Sequence, residues 1–481
     1  MRWRGLISVF LLSEMMSQAD ARVSVVSIYR KFDDIYVRQS KGRYTNWRWF
    51  FVWLTQCVFY CSPWMSWNGR QAVLFDLAAR KFYLFGLVLF PQDFIFLAVL
   101  LIICAYSLFL FTAVTGRVWC GFSCPQTVYT EIFMWIENKI EGPRSARMRL
   151  AKQSMNLEKF TKKFSKHTVW GLLGIWTGFT FVGYFIPVHL LGSEVLSFSL
   201  GRWEAFWILF YGFATYGNAG FMREQMCRYL CPYARFQGSM FDKDTLVVSY
   251  DKARGEPRNV LNKSDPAMIA KGGCIDCSMC VQVCPTGIDI RNGLQHDCIG
   301  CAACVDACDS VMDKIGSPRG LIRFTTENAA QNGLTTRQIM RNILRPRVLI
   351  YSLILMSMVG AFAYTLTTHV PLKMNVIRDR GNMGRIVNDG AVENVYRLHI
   401  MNSDERAHRY QIRVSGMPNI MLETVNEVTL SPTESRIVPV TVRVPRGDGV
   451  NGSNPIHIEL QALDNEQVRI SEKATFFVPR Q

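Results

Sequence analysis

The chain has 481 residues, too many for one compact domain, and is 49% hydrophobic and 12% aromatic with a formal net charge of +16. The apolar residues gather into long blocks flanked by Lys and Arg, with no single basic groove of interleaved aromatics, which argues for a membrane protein with soluble parts and against a nucleic-acid binder. All 15 cysteines lie at or before Cys308, so disulfides do not staple the C-terminal part, and the clustered thiols indicate a reducing compartment for the middle of the chain.

Met1 to Leu12 carries two arginines and a short apolar run, and Ala19-Asp20-Ala21 has the look of a cleavage site. Arg22 to Arg48 then holds seven Lys/Arg directly before the first long apolar block, which keeps it in the cytoplasm. The first twenty residues are therefore expected to form an interfacial or poorly ordered extension. Five blocks are long enough to cross a bilayer, which takes about 20 apolar residues: Trp49 to Trp67, Phe94 to Thr115, Thr168 to Pro187, Trp203 to Phe221 and Val348 to Thr368. Arg117 to His167 carries ten Lys/Arg and Leu191 to Arg202 only one, so the former is expected inside and the latter outside. Asn68 to Asp93 then falls outside, where the alternation of Ala72 to Asp76 suggests a short hairpin.

The second block runs into Cys120-Gly121-Phe122-Ser123-Cys124-Pro125 and the fourth into Cys227-Arg228-Tyr229-Leu230-Cys231-Pro232. An i, i+4 pair lies on one face of a helix, which the following proline then breaks. Both pairs are expected at the cytoplasmic surface, where four thiols could converge. Such thiolates suit Cu(I), an iron–sulfur cluster or disulfide cycling. Packing is the plainer reading of Cys57 and Cys61, and Cys104 reads as a core residue.

After a polar linker from Asp242 to Gly273 come Cys274, Cys277, Cys280 and Cys284-Pro285, then Cys298, Cys301, Cys304 and Cys308. Each run is C-x2-C-x2-C-x3-C, the spacing of a bacterial ferredoxin with two four-iron clusters, in which the fourth cysteine of each run ligates the other run's cluster. This predicts Cys274, Cys277, Cys280 and Cys308 on one [4Fe-4S] cluster and Cys298, Cys301, Cys304 and Cys284 on the other. Zinc usually takes two paired C-x2-C knuckles instead. Asp309 stands where a second proline is expected, which should loosen a turn without removing a ligand. The tail from His369 alternates over Val395 to Ile400, Tyr410 to Val414, Arg436 to Val444, Ile456 to Leu460 and Thr475 to Val478, the pattern of an immunoglobulin-like sandwich.

The expected fold is thus an α-helical membrane protein with five transmembrane helices, an inserted two-[4Fe-4S] ferredoxin domain (α+β) and a C-terminal all-β immunoglobulin-like domain. Its parts are a cytoplasmic segment (1–48), four spans (49–241), linker and ferredoxin (242–347, core 270–312), the fifth span (348–368) and a periplasmic domain (369–481).

This combination, with the strings Trp67 to Ala72, Phe90 to Asp93 and Trp119 to Gln126, resembles the cytochrome c oxidase accessory family of CcoG, FixG and RdxA from about Ser27 onward. The resemblance implies an inner-membrane iron–sulfur oxidoreductase in cbb-type oxidase assembly that reduces Cu(II) to Cu(I), with Cys120, Cys124, Cys227 and Cys231 as its transient copper or terminal redox site. It implies as partners a copper chaperone or transporter, cbb-type oxidase subunits and an unidentified electron donor; a homo-oligomer is left open. Two other readings are a quinol-linked membrane electron-transfer subunit and a non-catalytic assembly scaffold.

Overall fold

The computed structural model of the chain describes residues 35–258 and 273–368 and, in the C-terminal part, 370–479 apart from 379–383, 388–389, 425, 446 and 466. The expected N-terminal extension and part of the linker lie outside the described residues. Five long helices form the α-helical part: α1 (Arg43–Cys61), α2 (Phe94–Thr115), α5 (Leu157–Val182), α6 (Arg202–Gly217) and α9 (Pro346–Thr367). Between them lie α3 (Val118–Phe122), α4 (Pro125–Glu141), α7 (Pro232–Met240) and α8 (Ala303–Lys314). Among the described residues only Pro91–Thr115 and Pro346–Thr367 are both long and apolar enough to cross a membrane. The other three fall short for local reasons: α5 carries four lysines in its first ten residues, α1 contains Arg43 and Arg48, and α6 has 16 residues before its backbone widens into a π-helical turn over Asn218–Met222. α2 and α9 pack side by side through Phe96 with Phe362 and Tyr106 with Tyr351.

Several expectations change. Asn68 to Asp93 holds more than a hairpin, because β1 (Val73–Asp76), β2 (Lys81–Leu84) and β3 (Leu87–Leu89) form an antiparallel meander. Cys104 is exposed on α2, as are Cys57 and Cys61 on α1; none packs into the chain's own core.

The ferredoxin segment is closed by a ribbon: β4 (Val247–Tyr250) before it pairs antiparallel with β5 (Ile322–Thr325) after it. Its core joins Val248, Tyr250 and Ile322 from the ribbon to Cys280, Val305, Cys308 and Met312. Cys308 and Asp309 lie inside α8, whereas the one-turn helix Met279–Gln282 stops short of Cys284-Pro285. Asp309 therefore continues a helix that proline would have interrupted, and its carboxylate accepts a hydrogen bond from the Gly320 amide at 3.0 Å.

The C-terminal part is a sandwich of two antiparallel sheets. One holds β6 (Leu372–Arg378), β7 (Val392–Asn402) and β10 (Ser435–Val444) in the order β10-β7-β6, with short flanking strands. The other runs β9 (Glu427–Leu430), β8 (His408–Ser415), β11 (Gly452–Ala462), β12 (Arg469–Val478). Alternate inward residues such as Tyr396, Leu398, Ile400, Ile456, Ile458 and Leu460 are fully buried between them, as a two-sheet core requires. The meander docks on this sandwich: Val88 and Phe90 pack on Met401, and Arg70 and Lys373 pair with Glu405 and Asp93.

Candidate iron–sulfur and thiol site

The two cysteine runs share one backbone shape. Asp276 and Gly300 have φ of 53° and 69°, and Ser278 and Ala302 have 54° and 57°. The equivalent positions, 24 residues apart, are thus left-handed in both loops. Three of the four are not glycine, and a left-handed residue costs roughly 1–2 kcal/mol, so the tertiary fold holds them there. Such alternation turns successive amides toward one concavity, the nest that many Fe–S sites use.

Cys284, Cys298, Cys301 and Cys304 line one small cavity together with Cys280, Ile288, Ile290 and Ile299. Cys308, from the second run, is instead within electrostatic reach of Cys274, Cys277 and Cys280. Burial pushes Cys298 and Cys308 up to about 12 and Cys280 up to about 11, so these groups stay thiols until iron takes the proton's place. Among the described residues no three His, Cys, Asp or Glu side chains converge tightly enough to hold a single metal ion. Two thiol sets with amide nests suit a polynuclear centre better than zinc.

The span-end cysteines are not i, i+4 pairs on one helix. Cys120 lies in α3, but Cys124 is extended (φ −60°, ψ 129°) and stands directly before α4. Cys227 sits in a π-helical turn, Met226–Leu230, and Cys231 is extended (ψ 110°) directly before α7. The reason is the proline after each pair: it excludes the residue before it from helical geometry and then starts a new helix at its first position. The four thiols nonetheless come within electrostatic reach of one another. Burial pushes Cys120 up to about 11 and Cys227 up to about 12.

Two glutamines latch these motifs together. Gln237 of α7, fully buried, donates to Cys120 Sγ at 3.3 Å. Gln126 of α4 donates to the carbonyls of Asn218 and Arg223, at 2.9 and 3.1 Å, just before the second motif. The ferredoxin is seated on the same elements. A Cβ at Gly121 would lie 2.7 Å from Cys301 Cα, and one at Gly300 would lie 3.1 Å from the Arg117 carbonyl carbon. Cys120 packs on the Ile299, Cys301 and Ala307 cluster. Arg117 donates to the carbonyls of His296, Cys298 and Ala234, and Arg228 pairs with Asp297 at 2.7 Å. Asp306 of α8 accepts from the amides of Tyr44 and Thr45, at 3.1 and 2.7 Å, and so caps α1. Sequence reasoning passed over Arg117, Gly121, Gln237 and Asp306. The only local cue was the glycine inside Cys120-Gly121-Phe122, since a missing Cβ permits close backbone approach.

Family comparisons agree with this architecture. A model described as "4Fe-4S dicluster domain" matches residues 222–327, one described as "4Fe-4S binding domain" matches 97–143, and "IG-like fold at C-terminal of FixG" matches 362–479. Protein RdxB of Cereibacter sphaeroides is 39% identical, covering 85% of this chain and 87% of its own. Nitrogen fixation protein FixG of Rhizobium meliloti is 35% identical, covering 87% and 88%, and Protein RdxA of Cereibacter sphaeroides is 35% identical, covering 87% and 91%. A crystal structure of a FixG-related protein from Vibrio parahaemolyticus, 25% identical, covers 22% of this chain and 96% of its own at a TM-score of 0.21. With iron–sulfur domains joined to an immunoglobulin-like fold and this identity over most of its length, the chain belongs to the family of FixG, RdxA and RdxB.

Proposed function

We propose that the chain is a five-span oxidoreductase of the bacterial inner membrane that reduces Cu(II) to Cu(I) for a cbb-type oxidase, with the ferredoxin in the cytoplasm and the sandwich in the periplasm. Exposed apolar side chains support the three additional spans, including Trp53 and Val58 on α1, Leu172 on α5 and Phe210 and Phe213 on α6. Cys274, Cys277, Cys280 and Cys308 would hold one four-iron cluster and Cys298, Cys301, Cys304 and Cys284 the other, supplying one-electron carriage. The observation that carries the reading is the seat itself: Cys120 packs on the Cys301 loop, so the four span-end thiols adjoin the second set of cluster ligands. Copper enters as substrate. Cu(I) prefers sulfur and Cu(II) prefers nitrogen and oxygen, so each cupric ion that gains one electron beside Cys120, Cys124, Cys227 and Cys231 becomes the form those thiols retain. Gln237 orients Cys120 toward that exchange.

Replacing Cys120 and Cys227 together by serine is expected to abolish loss of the Cu(II) EPR signal by the reduced protein while both ferredoxin clusters stay assembled. Unchanged turnover would remove the four thiols from the reaction. A second reading has them hold a further cluster, favoured by the iron–sulfur model that matches residues 97–143. Iron analysis separates the two, at about eight irons per chain against about twelve.

A further inference from the structure

A cavity of about 210 Å³ lies where α2 ends, beside the second thiol set and distinct from the small cavity that set lines. Its walls come from Thr115 and Arg117, from Gly238 and Phe241 at the end of α7, from Leu246 and Val247, and from Leu294, Gln295, His296 and Cys298 of the ferredoxin. Resting on the reductase reading, we propose that this cavity binds the ring of a membrane quinol and is where the protein takes up electrons.

Four observations select that occupant. The volume is below the roughly 300–1,000 Å³ of usual small-molecule sites, so it takes one substituted ring and is too small for a flavin or a nicotinamide dinucleotide. Thr115 is the last residue of a helix apolar enough to span a membrane, so the cavity meets the bilayer surface, where a ring on an isoprenoid tail partitions. Its lining is mostly apolar except for Arg117 and its neighbours. Arg117 is only 9% exposed, and its Nε–H has no hydrogen-bond partner among the described residues although its two terminal nitrogens are engaged. That nitrogen is sealed from the cavity space, so the polar contact offered to a quinol or quinone oxygen is the His296 ring in the same wall. Finally Cys298, a proposed cluster ligand, is part of the wall. The quinol would lose two electrons and two protons and leave as quinone: iron–sulfur centres held by the two thiol sets would be the oxidant, taking one electron each, and the protons would go to water at the rim beside Leu294, 56% exposed.

Gly238 supplies the test. A Cβ there meets only the His296 ring, at an ordinary 3.6 Å, so alanine fits and leucine fills the cavity. With holoprotein in lipid nanodiscs under argon, decylubiquinol is expected to bleach the clusters, and an azidobenzoquinone to photolabel peptides from 232–247 and 294–300. Gly238→Leu should lower both at least tenfold and Gly238→Ala less than twofold, with iron content and dithionite reduction unchanged. Leu246→Trp, filling from another wall, should repeat the Gly238→Leu result and guards against misfolding of one variant. Absent labelling, labelling without reduction, or filled variants that are labelled and reduced like the unmodified protein would each overturn the proposal. Cu(II) addition to dithionite-reduced protein keeps the two readings apart: its failure removes the reductase, whereas its success with no quinol exchange removes only the quinol site.

Discussion

A methyl group at position 121 would lie 2.7 Å from both the Cα and the amide nitrogen of Cys301, closer than carbon atoms approach without something moving. Gly300 repeats the constraint from the other side and adds a φ of +69°. Gly316 has nearly the same φ, +70°, with nothing within 4 Å of its would-be Cβ. The three sites therefore separate strain from contact. Gly316→Ala is expected to cost the backbone term alone, about 1–2 kcal/mol; Gly300→Ala adds a tight contact with the Arg117 backbone and Gly121→Ala is all clash, with overpacking costing about 1–3 kcal/mol. Thermal unfolding with iron analysis checks this: position 300 should lose more stability than position 316, and both seat variants should lose cluster iron. Equal losses at 300 and 316 would mean the seat yields at no cost. Apart from the glycine between Cys120 and Phe122, little of this is legible in the chain, because the partners stand about 180 positions apart. The cysteine runs are legible, because wrapping one centre forces short fixed spacings between thiols.

At the level of elements, proline decides what the sequence reading got wrong. Periodicity carries one helix through Cys120 and Cys124, but Pro125 and Pro232 each end one helical path and begin another, leaving Cys124 and Cys231 extended at the joints. The sandwich was legible because strands with one buried face alternate, and the observed strands extend the expected ones by a few residues at most ends. Asp306 was not, because α1 has no side-chain cap of its own and borrows one from α8. Asp306→Ala is expected to destabilise the protein by about 2 kcal/mol, the upper end for a lost cap, since the carboxylate is buried and also accepts from Thr45 Oγ1. Asp306→Asn keeps an acceptor and should lose less. Thermal unfolding followed by far-UV circular dichroism would rank them, and equal melting of all three proteins would deny the cap any weight.

Across the whole molecule the two ends are built on different chemistry. The ferredoxin end depends on thiols and buried arginines. The C-terminal sandwich has its own core and one histidine between two carboxylates: burial pulls His408 down, but hydrogen bonds to Asp404 and Asp464 outweigh it, and its pKa lies above the ordinary 6.5. A raised histidine stabilises fully below its unfolded value and loses that contribution as pH rises through its folded value. The melting of the sandwich is thus expected to fall as pH climbs above 6.5, and His408→Gln to flatten that dependence; an unmodified protein whose melting is flat across that range would refute it. The seat of the ferredoxin carries a consequence for how the protein is made. Its socket is assembled from the chain near Thr45, Arg117, Gly121 and Arg228, all of which leave the ribosome before Cys274. Synthesis runs from the N-terminus, so the residues of the socket are made before the cluster-binding segment, and the order of translation itself favours folding of the preceding helices ahead of iron–sulfur maturation.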